Sequence, residues 1–133
     1  MTIGLLLVTH SRIGEALFET ARKMLEGPPP SVETLPVSTD CNPDRLLEEA
    51  RTIVTRLDQG NGVLVLTDMY GSTPSNIASG LAENGRVNVI SGVNLPMLIR
   101  TLNYQTLDLV SLTEKAVSGG KEGILCYENP NKQ

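Results

Sequence analysis

The chain has 133 residues, a net charge of −4 at pH 7 and a hydrophobic fraction of 40%. That length suits one domain with its own core, so we treat residues 1–133 as a single domain. The acidic balance and the aromatic content of 3% argue against a protein that binds nucleic acid or an anionic membrane surface.

The first half of the chain alternates between strand and helix patterns. In chain order, it predicts a strand at residues 3–8, a helix at 13–25, a strand at 32–37 and a helix that begins at Asn42-Pro43 and ends at Leu57. The first strand is apolar throughout, which is typical of a sheet covered on both faces. It is too short to span a membrane and has no cationic leader, so we expect a cytoplasmic protein.

The second half of the chain continues this alternation. It predicts, in order, a strand at 63–66, a helix at 73–81, a strand at 87–90 and helices at 95–102 and 106–117. We expect Gly119-Gly120 to end the last helix and to form a hinge before a short strand at 124–127. Strands that alternate with helices predict an α/β fold with one doubly wound, mostly parallel sheet of order 2-1-3-4 and helices on both faces.

Two polar residues stand where buried strands end. His10, the only histidine of the chain, follows the first strand, and Asp68 follows the third. The order 2-1-3-4 makes these strands neighbours, and ligands of open α/β sheets bind beyond the carboxyl ends of the strands. An imidazole held by a carboxylate is a good nucleophile, which favours a covalent role for His10 and an orienting role for Asp68. The alternatives are a polar loop histidine and an ordinary turn or capping aspartate.

The segment that opens the helix at residue 73 offers groups that bind anions. Backbone N–H groups and the helix dipole favour negative charge there, and the hydroxyls of Thr73 and Ser75 add donors. The alternative is a helix capped by Thr73 with proline at its first position. This segment by itself therefore indicates an anion site only weakly.

The sequence lacks the motifs that several other kinds of catalytic or binding site require. The chain has no glycine-rich nucleotide loop, no nucleophile elbow, and no acidic pair after the first strand to form an aspartyl phosphate. One histidine and the two separated cysteines, Cys41 and Cys126, cannot build an ordinary zinc site or a disulfide framework. The sequence therefore predicts no metal and no cofactor.

Three segments together resemble a known family. At residues 8–10, 67–76 and 92–97 the chain resembles the IIA component of the mannose/sorbose class of the bacterial phosphoenolpyruvate-dependent sugar phosphotransferase system. The patterns D-x-x-G-x-T-P-x-N and G-x-N-L-P carry this resemblance, which runs from residue 3 to about residue 127. It implies that His10 accepts a phosphoryl group and that Asp68 orients the ring. Phosphate-binding roles are then expected for Gly71, Ser72, Thr73 and Ser75.

The resemblance also implies partners. The donor would be the phosphorylated carrier protein HPr, the acceptor a IIB protein, and the family is usually dimeric with an exchanged C-terminal strand. The chain ends soon after the IIA-like unit, so we expect the acceptor to be a separate protein. Candidate docking residues around His10 are Arg12, Met69, Tyr70, Pro96 and Met97.

Two positions depart from the family pattern. Ser72 stands where the family commonly has a second glycine, and Ser11 stands where glycine often follows the histidine. Neither change removes a group that the chemistry needs. The sequence therefore predicts a phosphohistidine carrier in sugar uptake. The alternatives are a regulatory protein of an incomplete phosphotransferase chain and, less favoured, a non-catalytic flavodoxin-like binding module.

Overall fold

A computed structural model describes residues 2–27 and 31–130 of the chain. Its strands are β1 (Gly4–His10), β2 (Val32–Val37), β3 (Val63–Thr67) and β4 (Val87–Ser91). Its helices are α1 (Ile13–Met24), α2 (Pro43–Leu57), α3 (Thr73–Ser79), α4 (Leu95–Asn103) and α5 (Leu109–Glu122). The four strands form one parallel sheet of order β2-β1-β3-β4, which confirms the predicted fold class and strand order.

The sheet is covered on both faces. Side chains alternate along β1, so that Leu6 and Val8 join the core under α2 and α3, while Leu5 and Leu7 join the core under α1, α4 and α5. Burial on both faces explains why the central strands are apolar throughout. Within the described ranges, no helix is both long and apolar enough to cross a membrane.

Short polar side chains determine where two of the helices begin. Asn42 caps α2 as predicted, because its side-chain oxygen accepts from the backbone N–H groups of Asp44 and Arg45. Asp108 caps α5 in the same way and accepts from the N–H of Ser111 at 2.8 Å. Helix α5 therefore begins later in the chain than its apolar pattern predicts.

The Gly119-Gly120 pair lies inside α5, so the predicted break and hinge at this point are wrong. Both glycines face α4 where the two helices approach closely. A Cβ on Gly119 would lie 2.6 Å from the Cβ of Arg100, and one on Gly120 would lie 2.7 Å from Cε of Met97. The packing of α5 on α4 therefore outweighs the low helix propensity of glycine, which is about 1 kcal/mol per residue relative to alanine.

The segment after α5 does not form the predicted short strand in the single chain. Residues 124–129 have no regular secondary structure. Ile124, Leu125 and Tyr127 are exposed, although their side chains are large and apolar. A strand requires a neighbouring strand for its backbone hydrogen bonds, and the sheet of this chain consists of β1 to β4 within the described residues. Exchange of this segment with a second subunit stays a prediction.

Candidate functional site

The carboxyl ends of β1 and β3 bring His10 and Asp68 together. The two strands are hydrogen-bonded neighbours, with Val8 opposite Thr67 in the register. Because β2 lies on one side of this pair and β4 on the other, the winding direction reverses between β1 and β3. His10 and Asp68 therefore lie at the switch point where open α/β sheets bind ligands.

One carboxylate oxygen of Asp68 contacts His10 twice. Oδ2 accepts from the backbone N–H of His10 at 2.9 Å and lies 2.8 Å from Nδ1 of its ring. The His10 side chain is 40% exposed and the Asp68 side chain is 13% exposed, so the ring reaches solvent while the carboxylate is shielded.

Within the described ranges, no group of three or more His, Cys, Asp or Glu side chains is placed to hold a metal ion.

The charge on Asp68 determines which ring nitrogen is free. Burial raises the pKa of Asp68, but the hydrogen bonds and the electrostatic attraction from His10 lower it by more, so the pKa lies below its usual range. An ionised carboxylate can only accept hydrogen bonds, so Nδ1 of His10 carries the proton and donates a hydrogen bond to Oδ2. In the neutral ring this leaves Nε2 with a free lone pair, which is the nucleophilic nitrogen.

The backbone around His10 is held from both sides. Ser11 follows with a φ of +46°, in the left-handed region, and its N–H donates to the carbonyl of Val37 at 2.9 Å. Thr9 precedes and is buried, and its hydroxyl accepts from the N–H of Gly14 at 2.8 Å. The sequence patterns do not single out Thr9, although a hydroxyl inside an otherwise apolar strand is a signal for such a contact.

The turn after Asp68 uses some of the predicted phosphate-binding groups internally. Ser72, not Thr73, caps α3, because its hydroxyl accepts from the N–H of Ser75 and donates to the carbonyl of Met69. Ser75 is buried, and its hydroxyl accepts from the N–H of Gly71 at 3.3 Å. Gly71, with a φ of +83°, and Thr73 are exposed. The exposed residues of this turn are therefore Gly71 and Thr73, while the hydroxyls of Ser72 and Ser75, together with the N–H of Gly71, stabilise the turn.

The five candidate docking residues do not share one environment. Arg12, Met69, Tyr70 and Pro96 are exposed. Met97 is only 5% exposed, because the helical spacing of α4 directs it into the core beside α5. The structure therefore corrects the expectation that Met97 contacts a partner.

The G-x-N-L-P motif contributes a structural contact at the start of α4. The side chain of Asn94 accepts from the N–H of Met97 at 2.9 Å and so caps the helix. Its amide Nδ2 donates to the carbonyl of Gly120 at 3.1 Å. One side chain of the motif thus begins α4 and ties it to α5.

Comparison with known proteins connects this geometry to one family. Residues 4–117 match the sequence model of the family EIIA-man, described as "PTS system fructose IIA component". The chain is 35% identical over 127 residues to the "PTS system mannose-specific EIIAB component" of Escherichia coli strain K12. That match covers 93% of this chain but 39% of the relative, so the chain spans about two fifths of the length of the relative.

Solved structures share the fold. The mannose/sorbose-specific IIA subunit from Enterococcus faecalis superposes with a TM-score of 0.82 at 20% identity and covers all of both chains. A phosphotransferase system component EIIA from Streptococcus agalactiae superposes with a TM-score of 0.80 at 23% identity, covering 93% of this chain and 96% of the other. At these identities the likeness establishes the fold alone.

Proposed function

Because the chain belongs to the EIIA-man family of IIA components of the sugar phosphotransferase system, we propose that it carries a phosphoryl group on His10 between two partner proteins. The observation that supports this proposal is the contact of Asp68 Oδ2 with Nδ1 of a half-exposed histidine at the switch point of the sheet. A histidine that served only as a loop residue would not require an ionised carboxylate on its inner nitrogen.

The proposed transfer takes place at Nε2 of His10. The Nε2 lone pair attacks the phosphorus of a phosphohistidine on the donor; the new P–N bond forms while the P–N bond to the donor breaks. Positive charge develops on the His10 ring, and Asp68 stabilises it through the Nδ1–H hydrogen bond. In the second transfer the bond from phosphorus to Nε2 breaks while a new bond from phosphorus to the acceptor forms. Nδ1 keeps its proton through both transfers.

The turn after Asp68 would hold the phosphoryl oxygens. The exposed residues of this turn, Gly71 and Thr73, supply a backbone position without a side chain and a hydroxyl. Ser72 and Ser75 would act indirectly, since their hydroxyls already stabilise the turn. This arrangement supports a division of the four predicted phosphate-binding residues into two that contact phosphate and two that position the others.

The proposed donor is phosphorylated HPr and the proposed acceptor is a IIB protein. Both must bring phosphorus into line with the same ring nitrogen, so they would use one face of the protein in turn. The exposed side chains of Arg12, Met69, Tyr70 and Pro96 are candidates for this face. A carrier must release each partner quickly, so we expect a small interface.

We also propose that the protein is a homodimer. The exposed apolar side chains of Ile124, Leu125 and Tyr127 support this proposal, because such side chains gain free energy when a second subunit covers them. This part of the proposal is independent of the chemistry at His10.

Incubation of the protein with phosphoenolpyruvate, the first enzyme of the phosphotransferase system and HPr tests the proposed acceptor. The wild type should gain one acid-labile phosphoryl group, and the variants His10→Ala and His10→Gln should gain none while they melt like the wild type. Label on either variant, or label that resists acid as phosphoserine does, would contradict the proposal.

A second assay tests the shared face and the acceptor. Phosphorylated protein is mixed with a IIB protein, with and without saturating unphosphorylated HPr, and transfer is timed. Transfer should be slowed by HPr, and undiminished transfer would rule out a shared face. If no IIB protein accepts the phosphoryl group while HPr still donates it, the regulatory function is the better account.

A further inference from the structure

The loop that carries His10 joins the end of β1 to the start of α1. Only Ser11 and Arg12 separate His10 from α1, and the side chain of Arg12, the N-cap residue, makes no capping hydrogen bond. The first N–H groups of a helix have no partner within the helix, so a helix start is stabilised by a side chain that accepts from them. The start of α1 therefore depends on a contact from outside its first turn.

Thr9, at the end of β1, supplies that contact. Its hydroxyl accepts from the backbone N–H of Gly14, in the first turn of α1, at 2.8 Å. Thr9 is 1% exposed, so water cannot take the place of its hydroxyl unless the loop opens. The two elements also approach closely, since a Cβ on Gly14 would lie 3.0 Å from Oγ1 of Thr9 and 3.2 Å from Cβ of Leu7. This buried hydrogen bond thus fixes the start of α1 against the end of β1.

The hydrogen bond of Thr9 and the contacts of Asp68 act on neighbouring residues. Thr9 directly precedes His10, whose backbone N–H donates to Oδ2 of Asp68. The same oxygen lies 2.8 Å from Nδ1 of the His10 ring. Because one oxygen contacts both groups, a shift of the backbone at residue 10 disturbs both hydrogen bonds at once. The position of the loop therefore controls whether Asp68 meets Nδ1.

We propose that Thr9 is a positioning residue for phosphoryl transfer, because its hydroxyl holds the loop so that Nδ1 of His10 meets Asp68 and Nε2 stays free. The effect on transfer rests on the proposed carrier function, whereas the effect on the His10 tautomer does not. Thr9 is buried and cannot contact a partner protein. Loss of its hydroxyl should therefore slow transfer from a bound donor and leave the affinity for the donor unchanged.

The ¹⁵N signals of the His10 ring test this proposal without any phosphoryl donor. In the wild type the neutral ring should be mainly the Nδ1–H tautomer, since Asp68 accepts from Nδ1. Thr9→Val keeps the shape of the side chain but removes the hydroxyl, and should increase the Nε2–H tautomer. Thr9→Ser retains the hydroxyl and should keep the wild-type tautomer. Gly14→Ala crowds the same contact from the side of α1 and should act like Thr9→Val.

Single-turnover transfer from phosphorylated HPr gives the second measurement. At saturating donor, Thr9→Val should slow transfer about tenfold to a hundredfold, as expected when a reacting group is misplaced by up to about 1 Å. The donor concentration that gives half of the maximal rate should not change. Thr9→Ser should transfer like the wild type, which shows that the hydroxyl and not the methyl group is required.

Thr101→Val is the matched control. It removes another wholly buried hydroxyl, which donates to the carbonyl of Met97 at 2.8 Å within α4. This variant should keep both the tautomer and the transfer rate of the wild type. Equal effects of Thr9→Val and Thr101→Val would show that Thr9 contributes only to stability, and would overturn the proposal.

Thermal unfolding establishes which variants are folded, and Gly14→Ala provides the same test if Thr9→Val does not fold. A folded Thr9→Val or Gly14→Ala protein with the wild-type tautomer of His10 would also overturn the proposal. If the wild type itself accepts no phosphoryl group, the carrier function fails, and the tautomer alone decides whether Thr9 positions His10.

Discussion

A single oxygen of Asp68 holds both the backbone and the ring of His10, with distances of 2.9 Å to the backbone nitrogen and 2.8 Å to Nδ1. The contact joins residues 58 positions apart in the sequence. It couples the end of β1 to the end of β3 and determines the tautomer of the ring at the same time. Loss of the charge on Asp68 should therefore affect chemistry more than folding.

Asp68→Asn should slow phosphoryl transfer to His10 by about 10²-fold or more. The amide is nearly isosteric, but it does not stabilise an imidazolium, and its NH₂ group favours the wrong tautomer. The loss should be smaller than the roughly 10⁴-fold effect of the comparable change in serine proteases, because the half-exposed ring can recruit water. Single-turnover transfer from phosphorylated HPr measures this effect. Asp44→Asn, on the surface of α2, is the control, and equal rates for the two variants would disprove the role of Asp68.

The stability of the protein should fall on acidification. Hydrogen bonds from Arg86 and from the N–H of Gly60 lower the pKa of Asp58, and contacts with His10 lower that of Asp68 against the opposing effect of burial. A carboxyl whose pKa is lower in the folded state stabilises the fold above its unfolded pKa of about 3.9, and this stabilisation is lost as the pH falls through the folded pKa.

Urea unfolding between about pH 7 and pH 3 measures this dependence. Asp58→Asn should reduce the loss of stability on acidification, because it removes a carboxyl whose pKa is lowered in the folded state, whereas Asp44→Asn serves as the control. If Asp58→Asn shows the same pH dependence as the wild type, the bonds of Asp58 to Arg86 and Gly60 do not contribute as the structure indicates.

Gly119→Ala should destabilise the protein although alanine is the better helix former. The added Cβ would lie 2.6 Å from the Cβ of Arg100, an atom fixed to the backbone of α4, so the two helices must separate. Overpacking costs about 1–3 kcal/mol, and a separation this short places the cost in the upper part of that range, at about 2–3 kcal/mol. The gain in helix propensity returns about 1 kcal/mol, so we expect a net loss of about 1–2 kcal/mol. Glu114→Ala, at an exposed position of α5, is the control. A Gly119→Ala variant as stable as the wild type would show that the contact relaxes easily.

Ser11 should tolerate glycine but not a β-branched residue. Its φ of +46° is disfavoured for side chains branched at Cβ, so Ser11→Val should lower the free energy of unfolding by about 1–2 kcal/mol. Ser11→Gly should change it by no more than about 0.5 kcal/mol, because relief of strain is offset by the greater freedom of the unfolded chain. Ser38→Val, at an exposed position outside this backbone region, is the control in thermal unfolding. Equal losses for the two valine variants would contradict the argument.

Removal of the apolar segment after α5 should dissociate the proposed dimer. A chain truncated after Gly123 keeps all of α5 but lacks Ile124, Leu125 and Tyr127, and light scattering should report a monomer. Truncation after Glu128 retains the segment and should leave a dimer. A full-length protein that is monomeric at micromolar concentration would refute the proposal.

Apart from the C-terminal strand and the end of α5, the sequence by itself determined the elements and the place of the candidate site. Apolar periodicity and helix capping act within a few residues. Strands such as β2 and helix starts such as Asn42-Pro43 can therefore be predicted from the local sequence. The approach of His10 to Asp68 follows from two strand ends and one strand order, because parallel neighbours bring their carboxyl ends to the same edge of the sheet.

Only the tertiary structure decided how segments distant in the sequence use their side chains. Gly119 and Gly120 resemble a helix break in the sequence but are helical, because a close approach to α4 requires residues without a side chain. Met97 faces the core, and Ser75 turns toward Gly71. Local propensity amounts to less than about 1 kcal/mol per residue, and contacts between packed elements are worth as much or more, so such contacts decide wherever the two conflict.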